Sequence, residues 1–300
     1  MKAACRLAAA AALALPLLLS GCFVLSTTRK LPIPKAPLVT QTVSPEELVS
    51  RLNQRWAALD SLNASVDIQA TALKTKEGVA RDYTTFRGII LMRKPQSLRV
   101  YGRLPVIGSR MFDMVSDGKY FSLWIPSQNK LIMGANTLKT KSASQVENMR
   151  PGFFFDAMVV HGLEPDDEYF VTTDSETVED AAKKHLYTVP EYTLSIVRRQ
   201  PGSQKLALVR VVTFSRENLQ PYQQDIYDSD GSLETQVTYT SYRSFDSEMY
   251  PSTITIKRPL ENYQAVLTVE DVKENQKAPL TDDSFLLKGI PEGTKIQTLK

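Results

Sequence analysis

Short runs of alternating apolar and polar residues, separated by turn residues roughly every ten positions, fill most of this 300-residue chain and restrict it to a largely antiparallel β architecture. The first six runs are Val66–Ala70, Tyr83–Met92, Ser97–Gly102, Met111–Ser116, Lys119–Ile125 and Lys130–Met133, with turns at Pro95, Asp117-Gly118 and Ser127-Gln128-Asn129. Later runs extend from Tyr169 to Val272. Two of the runs, Ile89-Ile90-Leu91-Met92 and Tyr120-Phe121-Ser122-Leu123-Trp124-Ile125, are apolar at nearly every position. Such strands need an apolar cover on both faces. The N-terminal helix is one expected cover; a second sheet, a ligand or a membrane is the other.

That helix begins at Ser44-Pro45-Glu46-Glu47, where a capping Ser, a Pro in the first turn and a Glu at the third position satisfy exposed amides. Leu48, Leu52, Trp56 and Leu59 form its apolar stripe, and the pattern extends to Asn63. A helical interlude starts at Ser142 or Ser144, breaks at Pro151-Gly152, and resumes through Phe153–Val160, apolar nearly all round. Such a segment is either plain core or the lining of a cavity. No composition shift divides residues 44–300, which read as one domain.

Lys2 and Arg6 precede a 12-residue apolar run, Ala8–Leu19, too short to span a bilayer. It ends in Leu19-Ser20-Gly21-Cys22, which resembles the bacterial lipobox. Residues 1–21 are then a lipoprotein signal peptide, and Cys22 carries the N-terminal lipid. Cys5 is the only other cysteine, so the mature chain holds no disulfide. Residues 22–43 contain Pro32, Pro34, Pro37, Arg29, Lys30 and Lys35 and no acid, and read as the lipidated N-terminus and a semi-extended tether. Phe23, where inner-membrane retention favours Asp, points to the outer membrane.

Thirty-six Lys plus Arg against 33 Asp plus Glu leave a formal charge of +3, too little for a nucleic-acid footprint. With two Cys and two His, a zinc site of those residues is excluded in practice. His161 and His185 read as surface or capping residues. Glu164-Pro165-Asp166-Asp167-Glu168 reads as a solvated acidic loop, Asp228-Ser229-Asp230-Gly231 as a hairpin turn, and Ser127…Lys130 as a chance Ser-x-x-Lys match. No nucleophile-elbow, phosphate-loop, dinucleotide or metalloprotease motif occurs. The expectation is a protein that is not an enzyme and carries no cofactor or metal beyond the lipid on Cys22.

The order of lipobox, tether, capped helix, meander, interlude and further strands resembles the LolA/LolB-like superfamily of lipoprotein carriers and outer-membrane receptors. Leu104-Pro105-Val106-Ile107-Gly108-Ser109 is similar to the Pro-Leu-Gly-Ser loop of LolB, with one residue more. Asp282-Asp283-Ser284-Phe285 and Pro291-Glu292-Gly293 resemble the closing signature of these folds. RseB-like sensors and lipid-carrying lipoproteins are near alternatives. The resemblance implies an α+β, mainly β fold: an incomplete antiparallel β-barrel, or half-barrel, closed by helices over an apolar cavity. To that cavity and its lid we assign Trp56, Met92, Trp124, Phe154 and Met158. Leu104, Val106 and Ile107 are assigned to a membrane-insertion loop, with Ile107 at the protruding position and Val106 as its substitute.

The implied function is a lipid-anchored outer-membrane protein, its domain facing the periplasm, that accepts acyl chains of lipoproteins or lipids and transfers them to that membrane. A periplasmic LolA-like carrier is an implied partner. The rival readings are an assembly or sensing lipoprotein that binds a protein partner, and a hydrolase with an unrecognised site. Replacing Cys22 by Ala is expected to leave an uncleaved or soluble form; fractionation of the Cys22→Ala chain with membranes as wild type would overturn the anchor.

Overall fold

The computed structural model describes residues 40–74, 79–104, 108–137, 151–180, 185–246 and 248–299. The expected signal peptide, Cys22, most of the expected tether and the first part of the expected interlude lie outside them. Residues 36–176 and 188–300 form one compact unit; residues 1–35 and 177–187 form a second, of which the structure describes only parts of two strands.

Helix α1 (Pro45–Ala58) begins as its cap demands, with the Glu47 amide donating to Ser44 Oγ at 3.2 Å. It buries Leu48, Val49 and Leu52. The expected run to Asn63 is cut at Ala58, because Leu59 is already extended and residues 61–74 pair on both sides as a strand. A two-residue period with two hydrogen-bonding neighbours prevails over the continuing helical stripe.

The strands are β1 (Ser61–Lys74), β2 (Val79–Asp82), β3 (Phe86–Arg93), β4 (Ser97–Arg103), β5 (Arg110–Ser116), β6 (Tyr120–Ile125) and β7 (Lys130–Ala135). After helix α2 (Pro151–Met158) come β8 (Asp167–Asp180), β9 (His185–Arg199), β10 (Leu206–Ser215), β11 (Pro221–Tyr227), β12 (Leu233–Phe245), β13 (Glu248–Arg258), β14 (Tyr263–Glu274) and β15 (Lys295–Thr298). They make one open sheet in the order β15-β7-β6-β5-β4-β3-β1-β14-β13-β12-β11-β10-β9-β8, with β2 on β1. Neighbours from β7 to β9 run antiparallel, and β15 lies parallel to β7. The architecture is therefore mainly β and antiparallel as expected, but the sheet does not pair its two edges into a barrel.

Side-chain alternation assigns the faces. Phe86, Ile90, Met92, Leu98, Val100, Phe112, Met114, Phe121, Leu123 and Ile132 turn to one inner face and join one apolar core with α1 and α2. Gly88 and Gly102 sit opposite each other on this face. A Cβ on Gly102 would lie 2.9 Å from ring atoms of both Phe86 and Phe112, so the missing side chain is what admits their edge-to-face pair.

The outer face is covered by the chain's own C-terminal segment. Arg93 donates to the Leu280 carbonyl at 2.9 Å and pairs with Asp282, and Arg99 donates to the Ser284 carbonyl at 3.1 Å. Phe285 is buried, with the Arg93 guanidinium 5.0 Å from its ring centre. The segment then reaches Asn129 and enters β15. Beneath it Asp113, fully buried, is held by Nε and Nη2 of Arg99, at 2.9 and 2.8 Å, and by Arg110 at 3.1 Å. A second cover for the two-faced strands thus comes from the same chain, and the closing signature with Phe285 supplies it. Phe285→Ala should cost about 3 kcal/mol in urea unfolding, whereas Leu286→Ala, at a side chain 55% exposed, should change stability by no more than about 0.5 kcal/mol.

Candidate functional site

The inner face of the sheet is occupied by α2. Pro151 fits its first turn, where no amide is needed, and Phe153, Phe154, Phe155, Ala157 and Met158 are all buried. An eight-residue helix has few internal hydrogen bonds, and its last carbonyls have no partner within it. Sheet side chains supply those partners. Gln224 Nε2 donates to the Asp156 carbonyl at 2.6 Å, Tyr250 Oη to the Met158 carbonyl at 2.6 Å, and Arg210 Nη1 to the His161 carbonyl at 3.0 Å. Arg258, held by Glu261 and Thr235, lies with its guanidinium carbon 5.5 Å from the Phe153 ring centre. None of these partners was picked out from sequence. Arg210, a charge inside Leu208-Val209-Arg210-Val211-Val212, was the available signal.

Beside α2 opens a cleft of about 570 Å³, walled by Trp56 of α1, the Lys94–Gln96 turn, Asn136, and Phe155, Asp156 and His161. His161 is not at the surface, contrary to expectation. Its ring stacks on Trp56 at 4.3 Å and meets Phe155 edge-on at 5.5 Å. Lys94 Nζ lies 4.5 Å from the centre of the Trp56 ring and donates to the Trp56 carbonyl at 2.6 Å. His161 Nε2 lies 3.5 Å from Asp156 Oδ1, yet makes no hydrogen bond. Burial, with Arg210 and Lys94 near, pushes the imidazole down to about 3 and keeps it neutral. Desolvation raises the Asp156 carboxyl to about 6, against the opposing pull of Arg210. Its exposed area faces the cleft.

The assigned cavity residues separate into three groups. Met92, Phe154 and Met158 meet in the inner core. Trp56 packs at the cleft. Trp124 does not join them: Phe121, Leu123 and Ile125 take the inner face, so Trp124 points outward, opposite Asp113 and with Arg110 5.6 Å from its ring. Strand parity alone excludes it from the cavity. Of the insertion loop, Leu104 and Ser109 close a turn by a 2.9 Å backbone bond, and Val106 and Ile107 lie outside the described residues. The His185 side chain lies outside them as well.

Two of the four acids of the run 164–168 pair with arginines of β9, Asp167 with Arg198 at 2.7 Å and Glu168 with Arg199 at 3.2 Å. In the 228–231 turn, Asp228 Oδ1 accepts from the amides of Asp230 and Ser232, as a hairpin turn requires. Ser127 lies in a single 3₁₀ turn. Among the described residues no group of His, Cys, Asp and Glu is placed to hold a metal.

Solved structures similar to this chain include a LolA superfamily protein from Nitrosomonas europaea, at 16% identity and TM-score 0.48, covering 82% of this chain and 99% of that one. A DUF1329 family protein from Desulfovibrio piger aligns at 14% identity and TM-score 0.49, covering 80% and 95%. An outer membrane lipoprotein-sorting protein domain from Vibrio parahaemolyticus aligns at 12% identity and TM-score 0.47, covering 80% and 94%. No protein-family model and no curated protein matches the sequence.

Asp156 and His161 give opposite pH dependences. Asp156, raised from 3.8 to about 6, contributes stability below 3.8 that is lost as pH rises through 6; His161, lowered from 6.5 to about 3, contributes stability above 6.5 that is lost as pH falls toward 3. Between them the two effects offset each other. Asp156→Asn removes one, so the variant should lose stability relative to wild type from pH 6 to 4. The slope is at most about 1.4 kcal/mol per pH unit, reduced by water in the cleft; parallel pH profiles would refute the coupling.

Proposed function

We propose that this protein is an envelope lipoprotein, anchored by lipid on Cys22, that shelters acyl chains of lipoproteins or lipids on the inner face of its sheet and hands them to the outer membrane. The observation that carries the reading is α2, a short helix buried on nearly all sides and seated on that face by side-chain bonds to its terminal carbonyls. Burying its three Phe and one Met is worth roughly 6–12 kcal/mol, and fourteen methylenes of an acyl chain roughly 11 kcal/mol. Replacing one by the other is close to balanced, which a carrier that must both load and unload requires. Met158 adds an adaptable side chain for variable chains.

The geometry of the ends suits an anchored donor. Gln41 and Val43, at the end of the tether, bond to the Arg216 carbonyl and to Tyr192 Oη. By strand direction the β10–β11 hairpin, where these bonds lie, is on the side of the sheet where β3 turns into β4; the Leu104–Ser109 turn is on the other. Residues 22–39 reach at most about 60 Å, and the seven residues of β4 span about 23 Å. The tether is long enough for Cys22 and the Leu104, Val106 and Ile107 loop to meet one bilayer.

The test is saturable binding of an apolar fluorescent probe to the full chain, with displacement by palmitate. Absence of saturable binding removes the acyl site; co-purification of a protein partner without lipid supports the assembly reading instead. Ile107→Glu should leave probe binding unchanged and lower delivery of cargo to liposomes several-fold, whereas unchanged delivery would remove the insertion role.

A further inference from the structure

The cleft beside Trp56 has a wall chemistry that an acyl chain alone does not use. Asn136 spends its amide nitrogen on Ser116 Oγ at 2.8 Å, and its buried Oδ1 has no partner. His161 Nε2 is buried and equally unpartnered. The Asp156 carboxylate accepts no hydrogen bond among the described residues, and the His161 imidazole stands 3.5 Å from it. Buried acceptors left unmatched each cost free energy that a donor would recover. Lys94, on the same wall, gives two of its N–H bonds to the carbonyls of Trp56 and Ala57 and has a third to offer. Leu98 and Phe155 complete an apolar side.

The wall therefore presents both signs of charge, with acceptors in excess around Asp156 and one cationic donor at Lys94. A net anion would leave Asp156 and Asn136 unmatched. A simple amine would leave Lys94 unmatched. A quaternary ammonium carries no N–H for Asn136 Oδ1. We propose that the cleft is a head-group site for a lipid ending in phosphoethanolamine, with the primary ammonium on Asp156 and Asn136 and the phosphate toward Lys94. The inference rests on the acyl-binding reading and adds a polar selectivity to it. The raised Asp156 and depressed His161 accord with it, since an arriving ammonium would add to the charges of Arg210 and Arg258 in favouring a carboxylate that burial disfavours.

The full chain, held in dodecyl maltoside micelles doped with equal mole fractions of phosphatidylethanolamine, phosphatidylcholine and phosphatidylglycerol, is measured by native mass spectrometry. The expected result is at least a tenfold excess of ethanolamine-lipid adducts over choline-lipid adducts. Asp156→Asn and Asn136→Ala should each bring that ratio to within about threefold. If Asp156→Asn does not fold, Asn136→Ala and the wild-type ratio decide. Chain-free glycerophosphoethanolamine separates the sources. Displacement of the lipid adducts with the apolar probe still bound assigns recognition to the head group alone; retention of selective adducts assigns it to the whole lipid. Equal ethanolamine and choline adducts in wild type, or selectivity untouched by both substitutions, overturn the proposal. If the apolar probe still binds and palmitate still displaces it, only the head-group site has failed, and the acyl-binding reading stands.

Discussion

Apolar side chains on both faces of the early strands set the terms for the rest of this fold. A sheet with one wet face can stop at its own edges, but β3 and β6 cannot leave either face in water. The inner face is closed by α1 and α2. The outer face is crossed by the segment from Leu280 to β15, fastened at Arg93, Arg99 and Asn129. The outer cover is distant in sequence from the strands it protects, so it links early and late parts of the chain. The β1–β14 pairing does the same within the sheet.

Polar groups then decide how the covers are held. Asp113 has no exposed surface and is acceptable there because two arginines satisfy it. The terminal carbonyls of α2 and the loop after it are taken by Gln224, Tyr250 and Arg210, which orients a helix whose apolar surface alone would not specify its direction. Among the described residues this satisfaction stops at Trp124 Nε1, Arg210 Nε, Asn136 Oδ1 and His161 Nε2, and the last two belong to the walls of the cleft. Buried groups without partners beside a space large enough for a ligand separate this part of the interior from the apolar packing around it.

Local chemistry was legible wherever a few neighbouring residues decide it. Ser44 and Pro45 start α1, Asp117-Gly118 and Asp228–Gly231 make turns, and the alternating runs appear as strands within a few residues. The end of α1 was not legible, because Ser61–Asn63 are helical by pattern and become strand only through β3 and β14. Trp124 was assigned to the wrong face for a related reason: in a run apolar throughout, parity cannot be read without a partner strand. His161 looked like a turn residue until Trp56, 105 positions earlier, stacked on it.

By itself the sequence determined the antiparallel β class, the start of α1 and the turns. These depend on backbone sterics, capping and short-range periodicity, which act within a few residues. Only the tertiary structure decided that the sheet stays open at β15 and β8, that the C-terminal segment covers its outer face, and that α2 fills its inner one. The cleft of Trp56, Asn136, Asp156 and His161 belongs to the same class of fact. Its unmatched acceptors exist only once segments far apart in sequence have been packed together, and desolvation, which sets their chemistry, is a property of that packing and of no residue alone.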